Sequence, residues 1–152
     1  VHEYSIFLTV NALMVVFFQY GVTRVTSRYR ALYVMAVGAL FYALGSASVA
    51  WGTALPAFVL SMVIVTLGEM IIQPTALSFV ANHAPTQMRA RYMGIFELLW
   101  PVSAGIGPVI GGYLNDSVSP VATWYGAGLM SLLGVLGFLW MAQRDKQTLR
   151  EI

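Results

Sequence analysis

The chain has 152 residues, of which 59% are hydrophobic and only 9% charged, with a formal net charge of +2, no cysteine and a mean hydropathy of +0.75. That balance excludes an ordinary water-soluble domain, where about a quarter of residues are charged. It also argues against nucleic-acid binding, because the few basic residues flank apolar runs instead of forming a basic face.

The fold class implied is an all-α membrane protein. Five apolar runs approach the roughly 20 residues that a helix needs to cross a hydrocarbon core. They cover about 4–22, 31–50, 57–80, 92–114 and 121–142, followed by a tail at 143–152, and belong to one unit over 1–152. The runs are continuous rather than alternating, which predicts helices and not barrel strands. No basic segment precedes the first run, so a cleavable signal peptide is not expected. The initial Val1 suggests a piece of a longer chain.

The first run carries Asn11 and Gln19, two turns apart and therefore on nearly one face, where they can line a cavity or join helices. Arg24, Arg28 and Arg30 follow it. The second run places Ala39, Ala43 and Ala47 at four-residue spacing, a strip that admits close approach of another helix.

The third run holds Glu69, twelve residues beyond Ala57 and eleven before Val80, hence roughly 17 Å from either end. An ionisable group at that depth costs about 3 kcal/mol on insertion scales and marks a pathway or a helix contact. Removed from water, the carboxylate can hold a proton and release it when water or a cationic solute arrives. Glu69 is therefore a candidate coupling residue, with helix pinning as the alternative. Gln73 lies one turn further along the same face, and Pro74 predicts a deformable point.

A short hairpin with His83, Arg89 and Arg91 leads into the fourth run. Glu97 stands six residues past Arg91, about 9 Å inside the helix end, within snorkelling reach of Arg89, Arg91 or the first basic loop. That predicts a cytoplasmic latch. Trp100 is a candidate solute contact. Pro101 and Pro108 predict kinks, and Gly105, Gly107, Gly111 and Gly112 predict close packing, with Gly107 and Gly111 forming a GxxxG pair.

After the fifth run come Arg144, Lys146 and Arg150, so all eight Lys and Arg residues fall in alternate gaps. The positive-inside rule makes those gaps cytoplasmic, with the N-terminus outside and the C-terminus inside. Trp51, Trp124, Tyr125, Tyr29 and Trp140 fall at the two interfaces, as an aromatic belt would. No HExxH, GxSxG or P-loop pattern is present, so enzyme chemistry, a cofactor or a bound metal is not expected.

The loop GVTRVTSRYRAL, the segment GEMIIQPTALSFVANHAP with RARYMG after it, and the run GIGPVIGG together resemble the major facilitator superfamily. The likeness covers essentially the whole chain and is closest to the last five helices, eight to twelve, of drug-efflux-type members, and more distantly to proton-coupled peptide transporters. The basic loop keeps Gly21, Arg24, Arg28 and Arg30 of the superfamily's loop motif but lacks its Asp. Gly105 to Gly112 resembles an antiporter motif that is diagnostic only in another helix. What the resemblance implies is most of a C-terminal helix bundle in a bacterial inner membrane, moving a small organic solute and protons together with a missing N-terminal half. A non-transporting membrane subunit is the alternative from outside the transporters.

Overall fold

The structure, a computed structural model, describes residues 2–148, with side chains from 5 to 145. The side chains of Val1, His2, Glu3, Lys146 and Arg150 lie outside the described residues. Five helices follow one another: α1 (His2–Thr26), α2 (Ala31–Val49), α3 (Leu55–His83), α4 (Arg89–Ser117) and α5 (Pro120–Thr148), with a 3-10 turn at Thr86–Met88 before α4. All five are long and apolar enough to cross a membrane. This is an all-α membrane bundle.

The helices extend past the apolar runs, most clearly where α4 begins at Arg89 and α5 continues to Thr148. Hydropathy detects only the part in hydrocarbon, whereas backbone hydrogen bonding continues through the interface. Helices of 29 residues reach about 43 Å, so they project beyond or tilt within a core of about 30 Å.

At the centre is α2, packed against α3 on one side and α5 on the other. On the far side of α3 lies α1, while α4 contacts α5 and, more lightly, α3. Small residues explain the intimacy of α2 and α3. A Cβ placed on Gly68 would stand 2.8 Å from the Gly38 carbonyl oxygen and 3.1 Å from the Tyr42 backbone nitrogen, and one on Gly45 would stand 2.9 Å from the Val65 nitrogen. Backbone meets backbone at both points, and the Ser48 hydroxyl donates to Ser61 Oγ across the same contact at 2.8 Å. In a bilayer, where lipid tails remove the hydrophobic drive for association, such packing and polar contacts hold helices together.

The Ala39, Ala43 and Ala47 strip faces α5: a Cβ on Gly128 would meet the Ala43 carbonyl oxygen at 3.4 Å and Ala47 Cβ at 3.8 Å. Two contacts tie the ends of this pair. Arg30, before α2, pairs with Asp145, near the end of α5, at 2.8 Å. At the opposite end the Trp51 indole donates to the Tyr125 hydroxyl at 2.8 Å. The two helices therefore run antiparallel, and Leu32, Met35 and Ala142 bury one another near the Arg30 end.

The glycines of α4 behave differently from expectation. A Cβ on Gly105, Gly107 or Gly112 would meet nothing within 4 Å, and only Gly111 is approached, by Thr123. The Thr123 hydroxyl donates to the Gly111 carbonyl at 3.0 Å. Small residues license close packing without requiring it, and α4 has few neighbours here. Pro74 lies inside α3, and Pro101 and Pro108 inside α4, without interrupting either helix.

Candidate functional site

An intramembrane polar cluster forms where α1 crosses the middle of α3. The Asn11 side-chain amide donates to Thr66 Oγ1 and to Glu69 Oε2, each at 3.1 Å. Thr66 is fully buried, whereas Asn11 and Glu69 are half-buried. Thr66 and Glu69 are three residues apart and so lie on one face of α3, which α1 covers. From the other side α2 brings Tyr42, whose ring lies against Gly68 and which interacts electrostatically with Glu69. The other carboxylate well inside a span, Glu97, is exposed on α4, so Glu69 is the one that neighbouring helices enclose.

Gln19 is placed two turns from Asn11, also against α3, but its role is different. Its amide donates to Thr23 Oγ1 at 2.9 Å and to the Met70 carbonyl at 3.0 Å. Met70 lies four residues before Pro74, so its carbonyl is the one that proline, having no N–H, leaves without a helical donor. Gln19 supplies that donor from the neighbouring helix. Both of its amide hydrogens are thereby engaged, one of them on the backbone of α3.

Replacing Gln19 with leucine should cost about 1–2 kcal/mol, above the roughly 0.6 kcal/mol average for an interhelical side-chain hydrogen bond in a bilayer, because a backbone carbonyl is left bare. The thermal midpoint of purified protein would report it. In a Pro74→Ala background the restored N–H at position 74 should remove most of that cost, so strict additivity of the two changes would count against the assignment.

The other sequence candidates are not gathered at this site. Gln73 is exposed and makes no hydrogen bond among the described residues, despite standing one turn from Glu69. Trp100 is 70% exposed on α4. Glu97 is likewise exposed and makes no ion pair with Arg89, Arg91, Arg24, Arg28 or Arg30 among the described residues. The pair that does form is Arg30 with Asp145. Asp145 stands at the end of α5, which packs on α2, whereas α4 is not among α2's principal neighbours. With side chains 43% and 53% exposed, that pair contributes at most about 1 kcal/mol.

At the Arg30 end a cavity of about 310 Å³ opens between the end of α1 and the second half of α3, bordered by Thr23, Ser27, Tyr29, Ser78, Asn82 and His83. His83 Nδ1 lies 2.8 Å from the Phe79 carbonyl, and the two rings stack with centroids 4.0 Å apart. A smaller space joins His83 to Arg30 and Asp145, so the start of α2 meets the ends of α3 and α5 there. Glu69 lies outside both spaces.

The Major Facilitator Superfamily model matches residues 1–152. The chain belongs to the major facilitator superfamily. Within the superfamily it is 31% identical over 117 residues to the uncharacterised MFS-type transporter YdeE of Escherichia coli, covering 76% of this chain and 29% of that protein. It is 26% identical over 158 residues to a Na(+), Li(+), K(+)/H(+) antiporter of Planococcus maritimus, covering 99% of this chain and 35% of the relative. It is 30% identical over 101 residues to the multidrug efflux pump SdrM of Staphylococcus aureus, covering 65% of this chain and 21% of that pump. The chain thus spans about a third or less of each relative's length. No solved structure matches it.

Membership fits the long apolar helices and makes the chain an integral membrane protein of a transporter family. Two residues that the structure engages, Thr66 in the cluster and Asp145 in the pair with Arg30, were not singled out in the sequence. Thr66 gives no signal, since a threonine in a membrane helix ordinarily bonds its own backbone. Asp145 could have been found as the one carboxylate among the last basic residues.

Proposed function

We propose that this chain is the C-terminal part, helices eight to twelve, of a twelve-helix secondary transporter that exports small organic solutes in exchange for protons by alternating access. Its basic gaps face the cytoplasm of a bacterial inner membrane, with its first helix entering from outside. The observation that carries the proposal is Glu69, held near mid-span by Asn11 of another helix beside a buried Thr66 hydroxyl.

That arrangement suits proton exchange. Asn11 donates to a single carboxylate oxygen, so the bond can persist whether or not the other oxygen carries a proton. The carboxylate is half-buried rather than sealed, which lets water or a cationic solute reach it in turn. Two relatives bear names consistent with such exchange, one a cation/proton antiporter and one a multidrug efflux pump.

The test is flux through the whole transporter in proteoliposomes under an imposed pH gradient, with lipophilic cations and short peptides compared. Gradient-dependent movement of lipophilic cations is the expected result. Movement of peptides alone would transfer the chain to the proton-coupled uptake transporters, and no flux of any solute would favour a structural membrane subunit.

A further inference from the structure

We propose that Asn11, Thr66 and Glu69 also form a binding site for a monovalent alkali cation, which occupies the cluster in alternation with the proton on Glu69. The inference rests on Glu69 being the coupling carboxylate.

The geometry begins with the Asn11 amide nitrogen, which sits 3.1 Å from Thr66 Oγ1 and 3.1 Å from Glu69 Oε2. Two oxygens of different helix turns therefore converge on one electropositive group. Asparagine's amide ends are nearly equal in size, and rotation of the amide exchanges the donor nitrogen for the acceptor oxygen. After that rotation the same three side chains present a carbonyl, a hydroxyl and a carboxylate oxygen to one another. Among those three oxygens only the Thr66 hydroxyl carries a proton, enough to satisfy one of the other two, so a cation among them compensates the acceptor left without a donor.

The donor set selects the class of ion. All three ligands are hard oxygens, which suit alkali and alkaline-earth ions over transition metals. Among the described residues no three His, Cys, Asp or Glu side chains come together to hold a metal of higher charge. One carboxylate neutralises one positive charge. A divalent ion would leave a net charge in the middle of an apolar bundle, which is costly. Asn11 from α1 and Thr66 from α3 are uncharged, and the titratable group facing Glu69 from α2 is the Tyr42 phenol. When the alkali ion enters, the Glu69 proton departs to water, so one positive charge replaces another.

The experiment measures Tm of the whole purified transporter in sodium chloride and in choline chloride of equal ionic strength, in alkaline and in acidic buffer. Sodium should raise Tm by about 2–4 °C over choline in alkaline buffer, and the difference should vanish in acid, where protons hold Glu69. Thr66→Val, which keeps the shape and removes the oxygen, should abolish the sodium effect, and Thr66→Ser should retain it. Equal Tm in the two salts, a sodium effect that ignores pH, or one that survives Thr66→Val would each overturn the proposal. If Thr66→Val does not fold, the wild-type salt comparison and Thr66→Ser still decide. Proton-driven flux through a wild type that shows no sodium effect would overturn this inference alone. A wild type without proton-driven flux would overturn the coupling role on which it rests.

Discussion

Glu69→Gln is expected to reduce proton-gradient-driven flux to the level of empty liposomes while leaving solute binding measurable. Glutamine keeps the volume of the side chain and an oxygen that can still accept from Asn11, so the contact between α1 and α3 survives. What it loses is the ability to exchange a proton. Flux down a solute gradient, measured without a pH difference, should then become independent of pH. Because the bulk of the side chain is unchanged, a collapse of expression or of Tm would indicate a structural role instead. Gradient-driven flux equal to wild type would remove Glu69 from the coupling path and turn the search to residues beyond this chain.

Gly68→Val should be the most destabilising single change in the bundle. Its new Cβ would lie 2.8 Å from the Gly38 carbonyl oxygen and 3.1 Å from the Tyr42 nitrogen, both backbone atoms of α2 that cannot rotate aside. Overpacking of this kind costs about 1–3 kcal/mol where side chains can yield, and here the cost should reach the top of that range. At roughly 2–4 °C per kcal/mol, the midpoint of thermal unfolding should fall by several degrees or the protein should fail to accumulate. Gly137→Val, on α5 with nothing within 4 Å of its Cβ position, is the control. Equal behaviour of the two variants would contradict the packing described for α2 and α3. Displacement of α2 at Gly68 would also move Tyr42 away from α3, so transport should decline with it.

The helices themselves were legible because long apolar runs report the hydrocarbon they occupy. Their ends were not, since hydropathy is blind to helical backbone that continues through Arg89 or beyond Ala142. Glu69 stood out because a carboxylate among apolar residues has few innocent explanations. Its partners required three dimensions: Asn11 and Thr66 are 55 residues apart, and nothing in the composition of either helix specifies their meeting. Pro74 did announce a bare carbonyl at Met70 by chain geometry alone, but not that Gln19 would be its donor. Glycine counts drew attention to α4, although the closest backbone approaches are at Gly38, Gly45 and Gly68. A small side chain is necessary for a tight contact, and the neighbour decides whether it is used.

The bond from Gln19 to Met70 fixes the mechanical register between two helices. If α1 slid along α3 by one turn, about 5.4 Å, the carbonyl freed by Pro74 would face lipid or side chains that cannot donate to it, and Asn11 would leave Thr66 and Glu69 in the same stroke. Those penalties make α1 and α3 a single stiff strut, and the backbone contacts at Gly38 and Gly68 weld α2 to it. In the proposed transporter, displacement between access states would then fall on α4, whose contacts with α3 and with α5 are each lighter than the contact of α1 with α3, and it would swing as a lever hinged on its contact between Gly111 and Thr123.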